Sequence, residues 1–505
     1  MSAGPVTQEA ALTLIDHLPA LQVVVPLLGS VAAALFRRGW FGYAIALGVS
    51  WAMPVISLML LHQVMAGGAI SYALGGFPPP IGIEYRIDEI NAYLLVLVSF
   101  MAALIMTYAP RSIADEIRPE HQGWYYAIFL LCLCGLLGMI VSGDAFNIFV
   151  FMEVSSLATY VLIALGRDRR ALVAAYQYLV IGTIGATFYV IGVGLILVMT
   201  GSLNLYDIAS RLDQAEDLRP LLAGLGFVTV GLGLKIALFP MHLWLPNAYA
   251  FAPSVATAFL ASTATKVAIY LLLRMLFSVY GVEITFAETP ADTLFAVLAA
   301  AAMLVAGVAA IFQANVKRML AYSSVAQVGY MILGIALVSE TGLTGGLAHM
   351  LNHALIKGTL FLAIGCVVFS TGIVKIERMA GLGRVMPLTM GAFVLAGLAL
   401  IGVPGTAGFI SKWILIQGAA EDGRWLIVAV IVASSLLAVL YIGRVVEVAW
   451  FRAPVLEDTP RKPPLEMMIV TWLMVGLVLF FGFWTEFSVG VARDAAALLM
   501  EGYPR

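Results

Sequence analysis

Charge is what this chain has least of. Of its 505 residues, 11% are Asp, Glu, Lys or Arg, against 62% hydrophobic, and mean hydropathy is +1.00. A soluble domain carries about a quarter charged residues, so a water-soluble fold is excluded. With a net charge of −2, the chain has no basic run for nucleic acid and no acidic tail. Cysteine is nearly absent. Cys132, Cys134 and Cys366 lie in apolar stretches, form no CxxC and have no histidine at metal spacing, so they read as small packing residues. Also missing are a P-loop, a GxGxxG after a strand, haem or iron–sulfur spacing and GxSxG. No cofactor and no metal is therefore expected, and the energy for any pumping has to come from an ion gradient or from other subunits. The opening MSAGPVTQEAALTLIDHLPA lacks the basic region and cleavage site of a signal peptide, so the first apolar stretch is expected to be a permanent helix.

What the chain does have is apolar runs of about 20 residues from end to end, each long enough to cross a bilayer as a helix. The weak apolar–polar alternation of a membrane β-barrel is absent. We read an all-α membrane protein with fourteen spans, centred near residues 28, 52, 98, 133, 155, 185, 230, 266, 302, 330, 357, 402, 437 and 477. Its partners include the lipid bilayer. Loops after odd-numbered spans hold Arg37, Arg38, Arg111, Arg118, Arg167, Arg169, Arg170, Lys317, Arg318, Lys375, Arg378, Arg384, Arg452, Arg461 and Lys462; loops after even-numbered spans hold only Arg86, Arg211, Arg219 and Arg424. Basic residues collect on the cytoplasmic side, so both termini are expected outside, in the periplasm of a bacterial inner membrane. One odd loop dissents: HLWLPNAYAFAPS has no Lys or Arg.

Spans seven and twelve carry helix breakers beside a lysine: Lys235 precedes Ala237–Pro240, and Gly402–Val403–Pro404–Gly405 precedes Lys412. Broken helices at membrane depth occur where protein or a water-filled cavity satisfies the freed backbone, and paired broken helices point to inverted repeats. Spans seven and twelve are an odd number apart and cross in opposite directions. The expected division is residues 1–120 for spans one to three, 121–285 and 286–455 for two inverted five-helix repeats, and 456–505 for span fourteen.

A charge inside the bilayer costs at least a few kcal/mol, so charges retained there usually serve to move charge. Glu153 stands alone in AFNIFVFMEVSSLATYVLIAL; its partner has to come from another helix, and Lys235 is the candidate. A bracing ion pair is the plainer alternative. Lys266 follows Ser262, Thr263 and Thr265, a stripe that suggests a hydrated path. A lysine snorkelling to the interface would look similar, but Lys266 lies near the span centre. On span eleven, His349, His353 and Lys357 recur every four residues on one helical face. With no carboxylate nearby, a proton relay suits them better than a metal pair. His242, after the first break, is a further relay candidate. Lys412, expected among Ile410, Trp413 and Ile414, is a second proton carrier or an exit gate. Asp144 reads as a loop or cap residue. Lys317 and Arg318 read as surface anchors at a helix start, with Tyr322, Ser323 and Ser324 available to line a path.

The segments FMEVSSLATYVLIAL, GLKIALFPMHLWLPNAYAFAPSVATAFLAS, KRMLAYSSVAQVGYM, HMLNHALIKGTLFL and GVPGTAGFISKW together resemble the antiporter-like subunit family shared by respiratory complex I, membrane-bound hydrogenases and multi-subunit monovalent cation/proton (Mrp-type) antiporters. The likeness covers roughly residues 90–450. It implies fourteen helices in two inverted repeats, a half-channel in each, and a hydrophilic axis through Glu153, Lys235, Lys266, His349 and Lys412. Within the family the chain looks most like the D-type subunit of the Mrp-type antiporters. Its length sets it apart from the large antiporter subunit, and no lateral amphipathic helix is expected after span fourteen. That likeness implies a proton-translocating antiporter subunit that exchanges H⁺ for a monovalent cation, Na⁺ being expected, alongside other subunits of the complex. The alternatives are a proton-pumping subunit of a complex I-type oxidoreductase or membrane-bound hydrogenase, which would make it part of an enzyme without being one itself, and a scaffold whose charges only brace helices.

Overall fold

The computed structural model describes residues 14–36, 40–212, 214, 217–455 and 460–503. Arg37, Arg38 and residues 1–13 lie outside them. Among the described residues, thirteen helices are long and apolar enough to cross a membrane: Leu14–Leu35, Phe41–Gly67, Glu89–Glu116, Pro119–Val141, Ala145–Ala164, Arg169–Thr200, Arg219–Ile236, Ser254–Val279, Ala291–Ile311, Val316–Ala336, Glu340–Thr371, Trp425–Phe451 and Leu465–Phe483. Between Glu340–Thr371 and Trp425–Phe451 falls the remaining span, the twelfth in chain order. It is split into Pro387–Ile401 and Ala407–Glu421, each too short to cross alone. The all-helical membrane fold of fourteen spans, with spans seven and twelve broken, is thus in place. A short helix, Val491–Glu501, follows span fourteen and packs on spans three and eleven. The connection after span two folds into a hairpin, β1 (Ile70–Ala73) antiparallel to β2 (Glu84–Ile87), where the sequence alone suggests only a long loop.

Caps fix where several spans begin. Asp88 and Asn91 form a reciprocal capping box at the start of span three, and Asp144, Asp168, Asn315 and Ser339 accept backbone N–H bonds at spans five, six, ten and eleven. These satisfy donors that a membrane interior would otherwise leave unpaired. Asp144 is the cap its position suggested.

The packing is inside-out. Large apolar side chains such as Leu58, Leu172, Val198 and Leu436 are exposed on the outer surface, whereas Lys235, Lys266, Lys357, Lys412, His349 and His353 are buried. Span eleven is the hub, packing against spans three, eight, ten, twelve and fourteen.

The breaks are of two kinds. Span seven ends at Ala237 and span twelve's first half at Gly402, both left-handed with φ of 61° and 95°. The αL region disfavours a non-glycine residue by about 1–2 kcal/mol, which Ala237 tolerates and Gly402 avoids. Span eight carries a third break that the sequence does not announce: Thr263, at φ −123° and ψ −62°, separates Ser254–Ser262 from Ala264–Leu273. No Gly or Pro marks it. Ser262 and Thr263 donate to carbonyls one turn back (Ala258 and Phe259), a contact that bends helices. Two of the three hydroxyls of the polar stripe thus donate to the backbone beside the break.

Close approach across the span twelve break demands glycine at 408, where a Cβ would fall 1.8 Å from the Ala399 carbonyl oxygen. Gly408→Ala should lower stability by about 1–3 kcal/mol or abolish folding. Gly226→Ala, where a Cβ meets nothing within 4 Å, should leave it unchanged. Thermal unfolding of the detergent-extracted protein, followed by size exclusion, separates the two.

Candidate functional site: a buried chain of lysines and histidines

The packing brings Glu153 of span five to Lys235 of span seven, with Oε1 and Nζ 3.6 Å apart. Lys235 Nζ also donates to Ser156 Oγ at 2.6 Å. At such separations an ion pair in a protein gains about 4 kcal/mol at an effective dielectric of 20, comparable to the several kcal/mol that burying each ion costs. The pair is thus close to balance. Beside it, a cavity of about 30 Å³ is bordered by Ser155, Ser156, Thr159, Tyr178, Lys235 and Ala264, room for one water with hydroxyl partners. Ala264 belongs to span eight, two residues before Lys266.

Lys266 is fully buried. Its ammonium donates to the Ala261 carbonyl at the Thr263 break and lies 3.4 Å from Thr265 Oγ1. It is within electrostatic reach of Lys357, His353 and His349 on span eleven. Lys357 Nζ donates to the Leu320 carbonyl at 2.8 Å and to Ser323 Oγ. His353 stacks on His349, centroids 5.9 Å apart, and neither of its ring nitrogens has a hydrogen-bond partner among the described residues. His349 is held by Ser411 Oγ at 2.8 Å and Gln327 Oε1 at 3.0 Å. Lys412, next to Ser411, donates to the carbonyls of Leu400 and Ile401 at 2.8 and 3.0 Å and to Ser435 Oγ at 3.3 Å. Its ammonium lies 4.7 Å above the Tyr330 ring, which packs on His349 at 5.3 Å.

These groups form a continuous series from Lys266 through Lys357, His353 and His349 to Lys412. Among the described residues none of the three lysines is ion-paired with a carboxylate; the pairs with at least one buried partner are Glu84–Arg86, Glu153–Lys235, Asp88–Arg274 and Glu116–Lys317. The three lysine ammonium groups are met by carbonyl and hydroxyl oxygens and, at Lys412, by the Tyr330 ring. No group of three or more His, Cys, Asp or Glu among the described residues is placed to hold a metal ion.

Two expectations need correction, those for Lys317 and Lys412. Lys317 is no surface anchor: it is buried, 3.7 Å from Glu116 and 3.2 Å from the Ala252 carbonyl. Lys412 is not enclosed by Trp413, which is 49% exposed, because residues adjacent on a helix face different ways. His242 stands apart from the series, stacked on Phe239 at 5.2 Å and edge-on to Tyr322 at 6.3 Å. Ser323 does line the series, as its neighbourhood suggested. The sequence alone does not single out Gln327, Ser411 and Tyr330, the groups that hold His349 and Lys412. Nor does it announce the Asp88–Arg274 pair, although Arg274 follows Lys266 by eight residues and so shares its face.

Residues 142–438 match the family model described as "NADH:quinone oxidoreductase/Mrp antiporter, TM". The chain is 44% identical to the N-type subunit of NADH-quinone oxidoreductase from Desulforudis audaxviator (strain MP104C) over 86% of this chain and 87% of that one. It is 27% identical to the D-type subunit of the Na⁺/H⁺ antiporter from Alkalihalophilus pseudofirmus, over 93% and 94%. In three dimensions it superimposes on a chain of the membrane-bound sulfane sulfur reductase, an archaeal respiratory membrane complex, with TM-score 0.89 and 30% identity, covering 96% of this chain and 98% of the other. This chain is a multi-pass membrane subunit belonging to the NADH:quinone oxidoreductase/Mrp antiporter family of antiporter-like proton-translocating subunits.

Proposed function

We propose that this protein carries protons through the membrane along Glu153, Lys235, Lys266, Lys357, His353, His349 and Lys412, as one subunit of a larger complex. The observation that carries the reading is a row of buried lysines and histidines in which Lys266, Lys357 and Lys412 have no carboxylate partner among the described residues. Bracing alone would need ion pairs, and between Lys266 and Lys412 there are none among the described residues. In this reading the repeats occupy residues 121–285 and 286–455, the loops after odd spans face the cytoplasm, and both termini face outward. His242 lies off this route and serves at most as a side relay from the first break.

The host complex has two readings. A cation/proton antiporter, with Na⁺ as the exchanged cation, is supported by the similarity to a Na⁺/H⁺ antiporter subunit over nearly the whole chain. A redox-driven complex, with the protein as its proton pump, is supported by the 44% identity to a quinone oxidoreductase subunit. Affinity purification of the tagged protein from its own membranes decides. Small antiporter subunits in the eluate favour the first, and quinone- or hydrogenase-type subunits the second.

Glu153→Ala should reduce proton flux in vesicles by about 100-fold or more, the usual scale for removing a proton-transfer group, with the complex still assembled. Glu153→Asp, one methylene shorter, should lose part of the flux. Unchanged flux in Glu153→Ala would sink the proposal, and equal assembly defects in both variants would leave only a brace. Lys412→Ala should abolish flux. Lys412→Arg should also impair it, since arginine keeps its proton; wild-type flux in the arginine variant would reduce Lys412 to a fixed charge. Expressed alone in a cation-sensitive host, the chain should fail to restore growth, and robust antiport by the purified lone chain would contradict the need for partners.

A further inference from the structure

The Glu116–Lys317 pair lies outside the series, yet it is built with as much care. Glu116 ends span three and Lys317 begins span ten. The lysine side chain is 4% exposed and the carboxylate 15%. Glu116 Oε2 accepts from Ser254 N and Oγ at 2.9 and 3.0 Å, and Oε1 accepts from Ser112 Oγ at 2.9 Å. Lys317 Nζ donates to the Ala252 carbonyl. The pair forms part of the wall of a cavity of about 480 Å³, bordered also by Arg167, Asp168, Arg170 and Asn315. The connections after spans three, five, seven, nine and eleven all reach this cavity. They are the odd-numbered loops, where the basic residues collect, so the cavity opens toward the cytoplasm. Asp168 stays ionised at its rim, held below the usual carboxylate range by hydrogen bonds from Arg170.

On the other side the pair meets the series. Leu320, whose carbonyl binds Lys357, lies three residues past Lys317, about 4.5 Å of helix rise deeper in the membrane. One turn of span ten thus separates the cavity wall from the central lysine. We propose that Glu116 and Lys317 are the proton intake of this subunit, loading Lys357 from the cytoplasm at the seam between the two repeats. The proposal rests on the proton-translocation reading above. In each cycle Glu116 takes H⁺ from cavity water, which is replenished from bulk. Lys317 releases one ammonium proton, through water, to the amine of Lys357 and regains one from the carboxylic acid of Glu116. Net, one H⁺ moves from bulk to Lys357, and the pair returns to its ionised form. The geometry also accounts for the odd loop without a basic residue. Ala252, at its end, is served by Lys317 from span ten, and the Arg170 guanidinium lies 4.6 Å from the Phe251 ring.

The competing role is structural, with Glu116 only capping span eight through Ser254. Glu116→Gln separates the roles, because the amide oxygen still accepts the Ser254 bonds but the group no longer carries a proton. In inside-out vesicles holding the native complex, Glu116→Gln should assemble normally and lower proton flux at least tenfold. Flux within twofold of wild type would overturn the intake, provided Glu153→Ala is inactive in the same assay; an active Glu153→Ala would instead condemn the translocation reading. Arg167→Cys tests the cavity without touching the pair. The native cysteines are buried, so a bulky, membrane-impermeant maleimide should label Arg167→Cys from the cytoplasmic face and block flux. Labelling only from the opposite face, or complete labelling with undiminished flux, would overturn the proposal.

Discussion

Moving a lysine ammonium from water into a low-dielectric interior costs several kcal/mol even after the protein relaxes. A fold that buries Lys235, Lys266, Lys317, Lys357 and Lys412 has to compensate each, and the means differ. Lys235 and Lys317 are paired with Glu153 and Glu116. The other three rely on backbone carbonyls and hydroxyls, a weaker kind of solvation. That difference divides the buried lysines into those whose charge a carboxylate offsets and those whose charge only dipoles offset.

The broken helices supply the carbonyls. An intact helix consumes each carbonyl four residues later, whereas a break frees those before it. Lys412 lies across the Gly402 break from Leu400 and Ile401 and takes both their oxygens. Lys266 turns back across the Thr263 break to Ala261. Lys357 has no break of its own and borrows from Leu320 and Ser323 of span ten instead. The breaks are therefore part of the electrostatics. The span eight break is tolerated at membrane depth because protein surrounds it, almost all of that span being buried.

Much of this is legible in the sequence. Spans are long, strongly apolar segments, so their number and order survive any error at their ends. A charge within such a segment stands out against its neighbours, which is why Glu153, Lys235, Lys266 and Lys412 are visible there. The spacing of His349, His353 and Lys357 gives their shared face directly. Illegible are features decided between helices or by side chains bonding their own backbone. The Thr263 break carries no glycine or proline. Lys317 looks like an anchor because it begins a helix, and only the approach of span three shows that Glu116 covers it. The neighbours of Lys412 cannot be read from the chain because sequence adjacency on a helix is not spatial adjacency.

The distribution of counter-charges imposes an order on proton movement. His349, His353 and Lys357 span two turns of span eleven, about 12 Å of rise, with Lys266 of span eight within electrostatic reach. Like charges there repel more strongly than in water, so in the role proposed above protonation of one group disfavours protonation of the next. The Glu153–Lys235 pair lies at one end of this row, beside the water-sized cavity that reaches span eight, and Lys412 lies at the other, with the row passing from span eight to span eleven between them. In the proton route proposed above the two ends therefore differ in kind: a carboxylate holds the charge at one, and carbonyls, a hydroxyl and the Tyr330 ring hold it at the other.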